Sequence, residues 1–428
     1  MTARRRSDSE LPNAPLELLH PLLLPAAEVP GAEVLREIGG GDGATLLELL
    51  RAVLAWSAHP RNAPDFDSAS LARAEYELLS RGDDPFASPA GLLAGYMAEA
   101  ASASPRDIAW ACVCISDWAA ERGARATALQ FAQAAAHAWP RHPRYAWLVA
   151  RMLRGQRRMR EAEVWFRRAH RIAVWTDDWE AQALTLNSLG NLHLSVGRFP
   201  TAKRLNLRAR SVARRHSLTR LEAEVTHDLF ITSAELKAFD QAEEYASEAF
   251  ALYGRSHPRL LMLMHDVAQF WIDQGHYNRA FIVLKALVRK FTVPAERIRV
   301  IASAVHAAGA MRLMDTFERF WADYWKLNST VKNPLVLATT LFEVGSGAAK
   351  AEHWDRATTT LELSRDYARQ AGSHDVAARA ESAIQLVCTR QVVDESVSRA
   401  PAARGDTLAT EFVTSLRGKK TPLTPAKA

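Results

Sequence analysis

Along most of the chain apolar residues recur every three or four positions, the spacing that lines one face of an α-helix, and the two-residue alternation of a strand is scarce. A longer rhythm lies over this one. A large apolar residue is followed three positions later by alanine at Met159/Ala162, Phe199/Ala202, Phe239/Ala242, Tyr277/Ala280 and Trp354/Ala357. A second alanine follows seven residues on at Ala169, Ala209 and Ala249, with Leu287 and Ser364 at the equivalent places. Small residues at fixed spacing let two antiparallel helices approach closely, and the bulky neighbour fills the gap beside them. A lone helical pair cannot bury its apolar face. Stacking the next pair covers it, so a period of about 34–43 residues specifies a linear array.

The pattern predicts an all-α chain. Residues 1–43 read as irregular, with a short helix over 32–38 and Gly39-Gly40-Gly41-Asp42-Gly43 as a flexible linker. Helical patterns at 44–58, 68–81 and 88–103 lack the rhythm and form an N-terminal helical extension or cap over 44–105. Asp67 or Ser68 suits the start of the second and Ser88-Pro89 that of the third. About seven helical pairs follow over 107–370, with turns near Gly123, Gly197, Gly275 and Gly309. A capping helix is expected over 371–391. Residues 392–428, with Pro401, Gly405, Lys419 and Lys420, read as a disordered basic tail.

These pairs resemble the tetratricopeptide repeat. The family's spacing is clearest in Leu186, Leu189, Gly190, Gly197, Phe199, Ala202 and Ala209. The first pair keeps Gly123, Ala128, Ala135 and Pro140, and the fifth keeps Gly275, Tyr277 and Ala280. The sixth departs, with Met314 and Trp321 in place of small residues. The resemblance implies a right-handed superhelical solenoid whose first helices line a concave groove. It also implies a non-catalytic adaptor or scaffold that binds a protein or peptide partner there.

Counting from Asn187 gives equivalent positions at Val113, Trp147, His227, His265, Arg299 and Phe342. One column therefore runs Trp147, Asn187, His227, His265, Arg299, with Arg151, Asn191, Asp228, Asp266 and Gln269 among its neighbours. All of these but Arg299, nine residues, are the candidate partner-binding groove. Side-chain amides would bond an extended ligand's backbone and Trp147 would supply an apolar anchor. The plainer reading is a solvated helix face. The repeated His-Asp pairs do not suggest a metal site, because neighbours on a helix diverge by about 100°.

Charge adds a second surface. The net charge of +6 conceals a block at 151–220, where sixteen Arg and Lys face five acids and leave the rest of the chain at −5. Arg167, Arg171, Lys203, Arg204, Arg208, Arg214 and Arg215 fall on second helices and predict a basic patch on the opposite, convex face. That patch supports an alternative, a regulatory or nucleic-acid-associated protein. Poor aromatic interleaving and the lack of a helix-turn-helix module in 44–103 count against it.

Other chemistry is sparse. The three cysteines form no CxxC pair, which argues against a disulfide framework and favours a reducing, cytoplasmic setting. Cys112 and Cys114 diverge on their helix and read as packing residues. No apolar run reaches the ~18 residues of a membrane span. Gly39 to Thr45 lacks the lysine of a phosphate loop, and neither HExxH nor Gly-x-Ser-x-Gly occurs. No enzyme, cofactor or metal is expected.

Overall fold

The computed structural model describes residues 32–58, 67–82, 84–391 and 403–417, and every regular element among them is an α-helix. The chain divides into two compact units, Met1–Leu221 and Glu222–Ala428.

The first unit opens with α1 (Ala32–Glu37), α2 (Gly40–Ala58), α3 (Ser68–Leu79) and α4 (Ala87–Ala98). Three helical pairs follow: α5 (Pro105–Glu121) with α6 (Arg125–Ala138), α7 (Pro143–Gly155) with α8 (Met159–Trp175), and α9 (Trp179–Ser195) with α10 (Phe199–Arg215). Side-chain caps start a few helices, Asp67 among them as expected, whereas α4 begins at Ala87, one residue before the expected Ser88-Pro89, without one. Asp67 Oδ1 accepts from the Ser70 N–H at 3.1 Å, and Asp178 Oδ1 from that of Ala181 at 2.9 Å. The early helices pack against the first pair, α1 and α2 on α6 and α4 on α5. Glu37 accepts from the Ala126 and Thr127 N–H groups and so satisfies the open end of α6.

The second unit holds nearly all of α11 (Thr219–Glu235), then α12 (Phe239–Tyr253), α13 (Leu260–Asp273), α14 (Tyr277–Leu287), α15 (Pro294–Ala310) and α16 (Met314–Asn328). It continues with α17 (Pro334–Lys350), α18 (Trp354–Gln370), α19 (His374–Cys388) and α20 (Ala403–Arg417).

The alanine rhythm is a packing code. Ala162, Ala202, Ala242, Ala280 and Ala357 are all fully buried, as are Ala169, Ala209 and Ala249. Each first helix ends on a residue in the left-handed region: Gly123, Arg157, Gly197, Lys237, Gly275, Arg312 and Glu352. The following N–H closes back onto the helix, as from Arg198 to the His193 carbonyl (2.9 Å) and from His353 to that of Ala348 (2.9 Å). Four of these seven positions carry a side chain, so the closure rather than glycine sets the turn.

Three expectations need correction. α2 begins at Gly40, not 44, so most of the glycine run is helical rather than a linker, and Gly43 lies against the α1 backbone, 3.6 Å from Leu35 Cα at the place a Cβ would occupy. Gly309 is not a turn residue. It lies inside α15, where a Cβ would come within 2.1 Å of the Gly347 carbonyl oxygen. The pair lets α15 and α17 approach backbone to backbone. Residues 403–417 of the expected disordered tail form α20, which packs on α12 and α14 through Leu408, Phe412 and Leu416. Residues 1–31, 392–402 and 418–428 lie outside the described residues.

Candidate functional site

In the second unit the first helices carry a hydrogen-bonded polar ladder. His227 on α11 is 1 % exposed, with Nδ1 3.1 Å from the Tyr253 hydroxyl and Nε2 3.0 Å from Asp266 Oδ2. Asp266 also faces His265 Nδ1 at 3.6 Å. His265 Nε2 is 3.2 Å from the Ser303 hydroxyl, which donates to Gln269 Oε1 at 2.9 Å. Gln269 Nε2 donates in turn to Asp273 Oδ1 at 3.1 Å. Burial works to raise the Asp266 carboxyl, but the bonds and charges of His227 and His265 outweigh it and hold the group well below the usual range.

The ladder ends in a cleft lined by Asp273, Tyr277, His306, Phe342, Glu343, Lys350 and Arg379 among others. The close approach of α15 and α17 places His306 Nδ1 2.7 Å from Glu343 Oε2. His306 is 8 % exposed, and its Nε2 is buried without a hydrogen-bond partner. Asp273 meets solvent, yet the surrounding protein and the Glu343 charge raise its carboxyl to about 6. Burial also presses on Glu343, but the His306 bond and charge prevail and lower it. Two protein cations lie over the aromatic walls, Arg379 4.4 Å from the Phe342 ring centre and Lys350 5.3 Å from that of Tyr277.

The ladder unites four of the nine groove candidates: His227, His265, Asp266 and Gln269. His227 and Asp228, expected on a wet face, are buried at 1 % and 4 % exposure. Helices further along the chain close over them, so His227 is a structural member of the ladder. Arg299 is out of register. The other column residues lie ten positions before the left-handed turn, and ten before Arg312 stands Ala302. Ser303, His306, Glu343 and Arg379 went unnoticed in the sequence, although Gly309 and Gly345-Ser346-Gly347 marked the helices that carry the first three.

The first unit differs. Asn187 is 6 % exposed, again buried rather than wet, and Asn191 is half-buried. Trp147 is half-buried, donates from Nε1 to the Ser188 hydroxyl at 2.8 Å and lies under the Arg151 guanidinium at 5.2 Å. Its expected role as an open anchor is thus partly taken up inside the chain.

On the second helices Arg171, Arg204, Arg208 and Arg215 are exposed. Arg167 pairs with Glu163 at 2.6 Å, Lys203 is half-buried, and Arg214 is exposed at the surface. The neighbouring Arg168 is 3 % exposed, and burial together with Arg171 lowers it to about 10. Cys112 is buried and Cys114 half-buried, both free thiols. No cluster of three or more metal-type ligands occurs among the described residues.

No family model and no curated protein matches the sequence. Among solved structures it is similar to the apo form of RapI, at 12% identity over 84% of this chain and 91% of that one, with a TM-score of 0.45. Yeast Tom70 aligns at 14% identity over 85% and 66% of the two chains, TM-score 0.44. A signal transduction ATPase with numerous domains, carrying a tetratricopeptide repeat sensor, from Pyrococcus horikoshii aligns at 11% over 92% and 64%, TM-score 0.49. The chain's own consecutive helical pairs make it a tetratricopeptide-like α-helical repeat protein.

Proposed function

We propose that this protein is a non-catalytic adaptor that holds a protein or peptide partner on the first-helix face of its second unit, anchored at the cleft of Asp273, His306 and Glu343. The supporting observation is the ladder itself, whose members satisfy one another until it reaches the cleft. There the raised Asp273 carboxyl accepts one bond, from Gln269, and the buried Nε2 of His306 has no hydrogen-bond partner. With Nδ1 of His306 engaged by Glu343, the ring has Nε2 left to offer a partner, and Asp273 and Glu343 offer carboxylate oxygens that accept. A segment bringing N–H donors, an amide or an ammonium group, satisfies them. The free space is about 40 Å³, room for a head group or a few waters, since about 10–15 Å³ suffices for one water.

Probing an array of short peptides with the full chain and with an Asp273→Asn/Glu343→Gln variant tests this reading. Selective binding should weaken in the variant while helicity and melting hold. Identical profiles for the two proteins would sink it.

A second reading rests on the exposed Arg171, Arg204, Arg208 and Arg215, which suit an anionic partner or nucleic acid. Titration with duplex DNA and RNA at two salt concentrations decides it, and affinity weaker than about 10⁻⁴ M at low salt removes it. Both readings are compatible with a cytoplasmic setting. No described helix is long and apolar enough to cross a membrane.

A further inference from the structure

α14, whose first residue Tyr277 lines the cleft, forms with α12 a groove that is filled by the chain's own helix α20. Leu408, Phe412 and Leu416 stand one turn apart and are buried in it. Phe412 meets Phe250 of α12 at 4.9 Å and Trp271 at 6.2 Å between ring centres. At the start of α20, Asp406 Oδ1 lies 3.2 Å from Arg279 Nε. Gly405 sits so close that a Cβ there would fall 1.9 Å from Arg279 Nη1. The groove thus reads a register: a small residue for approach, an acid for Arg279, then apolar anchors.

The groove is built so that losing α20 strands no buried charge. Arg279 Nη1 remains 3.3 Å from Glu243 Oε1, which also accepts from Trp271 Nε1 at 3.1 Å. The Asp406 side chain is 68 % exposed against 6 % for Arg279, so water screens the pair from the acid's side and its contribution is modest. Departure of α20 therefore costs mainly the three apolar anchors, and the uncovered groove is then an apolar patch that needs an occupant.

We propose that the α12–α14 groove is a docking site for an amphipathic helix of a partner protein, one carrying an acid followed two, six and ten residues later by large apolar side chains. α20 is the tethered occupant that such a helix displaces. Its contacts Glu243, Phe250, Trp271 and Arg279 are not among the cleft-lining residues, so the proposal stands or falls without the cleft.

The probe is a labelled peptide of residues 403–417 added to the full chain. Phe412→Ala in the chain loosens the tethered helix and leaves the groove lining intact, so it should tighten peptide uptake at least about ten-fold. The same substitution in the peptide should abolish uptake. A folded Phe412→Ala chain that takes up no peptide overturns the proposal. Asp406→Ala, at an exposed site, should give a smaller tightening and serves if the first variant does not fold. Hydrogen exchange on the unaltered chain decides independently. α20 amides should exchange ahead of those in α12–α14; exchange only together with them would mean that α20 leaves only when the whole unit unfolds, and would also overturn it.

Discussion

The first-helix faces of the two units share one register and differ in chemistry. In the first, the column position on α7 is Trp147, tied to one neighbour through Ser188 and covered by Arg151. In the second, the same position carries His227 and His265, and the bonds run on through Asp266, Ser303 and Gln269 to an open cleft. A polar residue at a column position is therefore not a binding residue by virtue of its place. Where later helices bury it, it holds the array together; where the bonding runs out at a cleft, it can hold something else.

The largest test of this contrast is steric. At Gly347 an added Cβ would lie 2.7–2.9 Å from His306 and Val305 backbone atoms, so α15 and α17 must separate. Gly347→Ala should cost about 3 kcal/mol in chemical denaturation and break the His306–Glu343 contact. A buried helix glycine of the first unit at a different register position, Gly190, meets the Asn206 side chain at 1.9 Å when changed to Ala. That amide is buried with both polar atoms unpartnered among the described residues, and it can turn, so the loss should be smaller, about 1–2 kcal/mol. Equal losses would show that the α15–α17 approach is nothing special.

His227→Ala comes next. It leaves the Tyr253 hydroxyl and Asp266 without their buried partner, at about 2–3 kcal/mol by thermal unfolding. Ser188→Ala, which removes the Trp147 partner in the first unit, should cost about 1 kcal/mol. If His227→Ala is as mild as Ser188→Ala, the ladder is not structural.

The pH dependence is smaller and has two signs. Asp266 has a folded pKa below its unfolded value of about 3.9, so its contribution is complete above that pH and is lost as pH falls further. Asp273 behaves oppositely. Its folded pKa of about 6 means the native state holds the proton more tightly, so stability declines as pH rises from about 4 to about 6. Asp273→Asn should remove that decline, by less than about 1 kcal/mol because the side chain meets solvent. Parallel stability–pH curves for variant and parent would contradict the raised carboxyl. Smallest of all, Arg204→Ala and Arg208→Ala should shift stability by no more than about 0.5 kcal/mol, since both side chains are exposed.

Much of the fold was legible. The alanine positions lie at helix contacts because only small residues admit that approach, and the pairing follows from their spacing. Turns at Gly123, Gly197 and Gly275 were readable from glycine; those at Arg157, Lys237, Arg312 and Glu352 were not, because backbone closure imposes the conformation there. α20 was hidden by its setting. Leu408, Phe412 and Leu416 have helical spacing, but the surrounding Pro, Gly and Lys suggested no structure. The site was half legible: counting placed His227 and His265 in one column, yet gave no sign that one would be buried and the other would lead to a cleft.

By itself, then, the sequence determined the helical pairs and the small residues at their contacts, because helix period and close packing act over one turn or one repeat. The tertiary structure alone decided which polar groups are spent on one another and which stay open. Tyr253 and Asp266 reach His227 from 26 and 39 residues away, and Glu343 reaches His306 from 37. Hydrogen bonds are settled within a few tenths of an ångström, a precision that comes only from how closely neighbouring helices stack, as at Gly309 and Gly347.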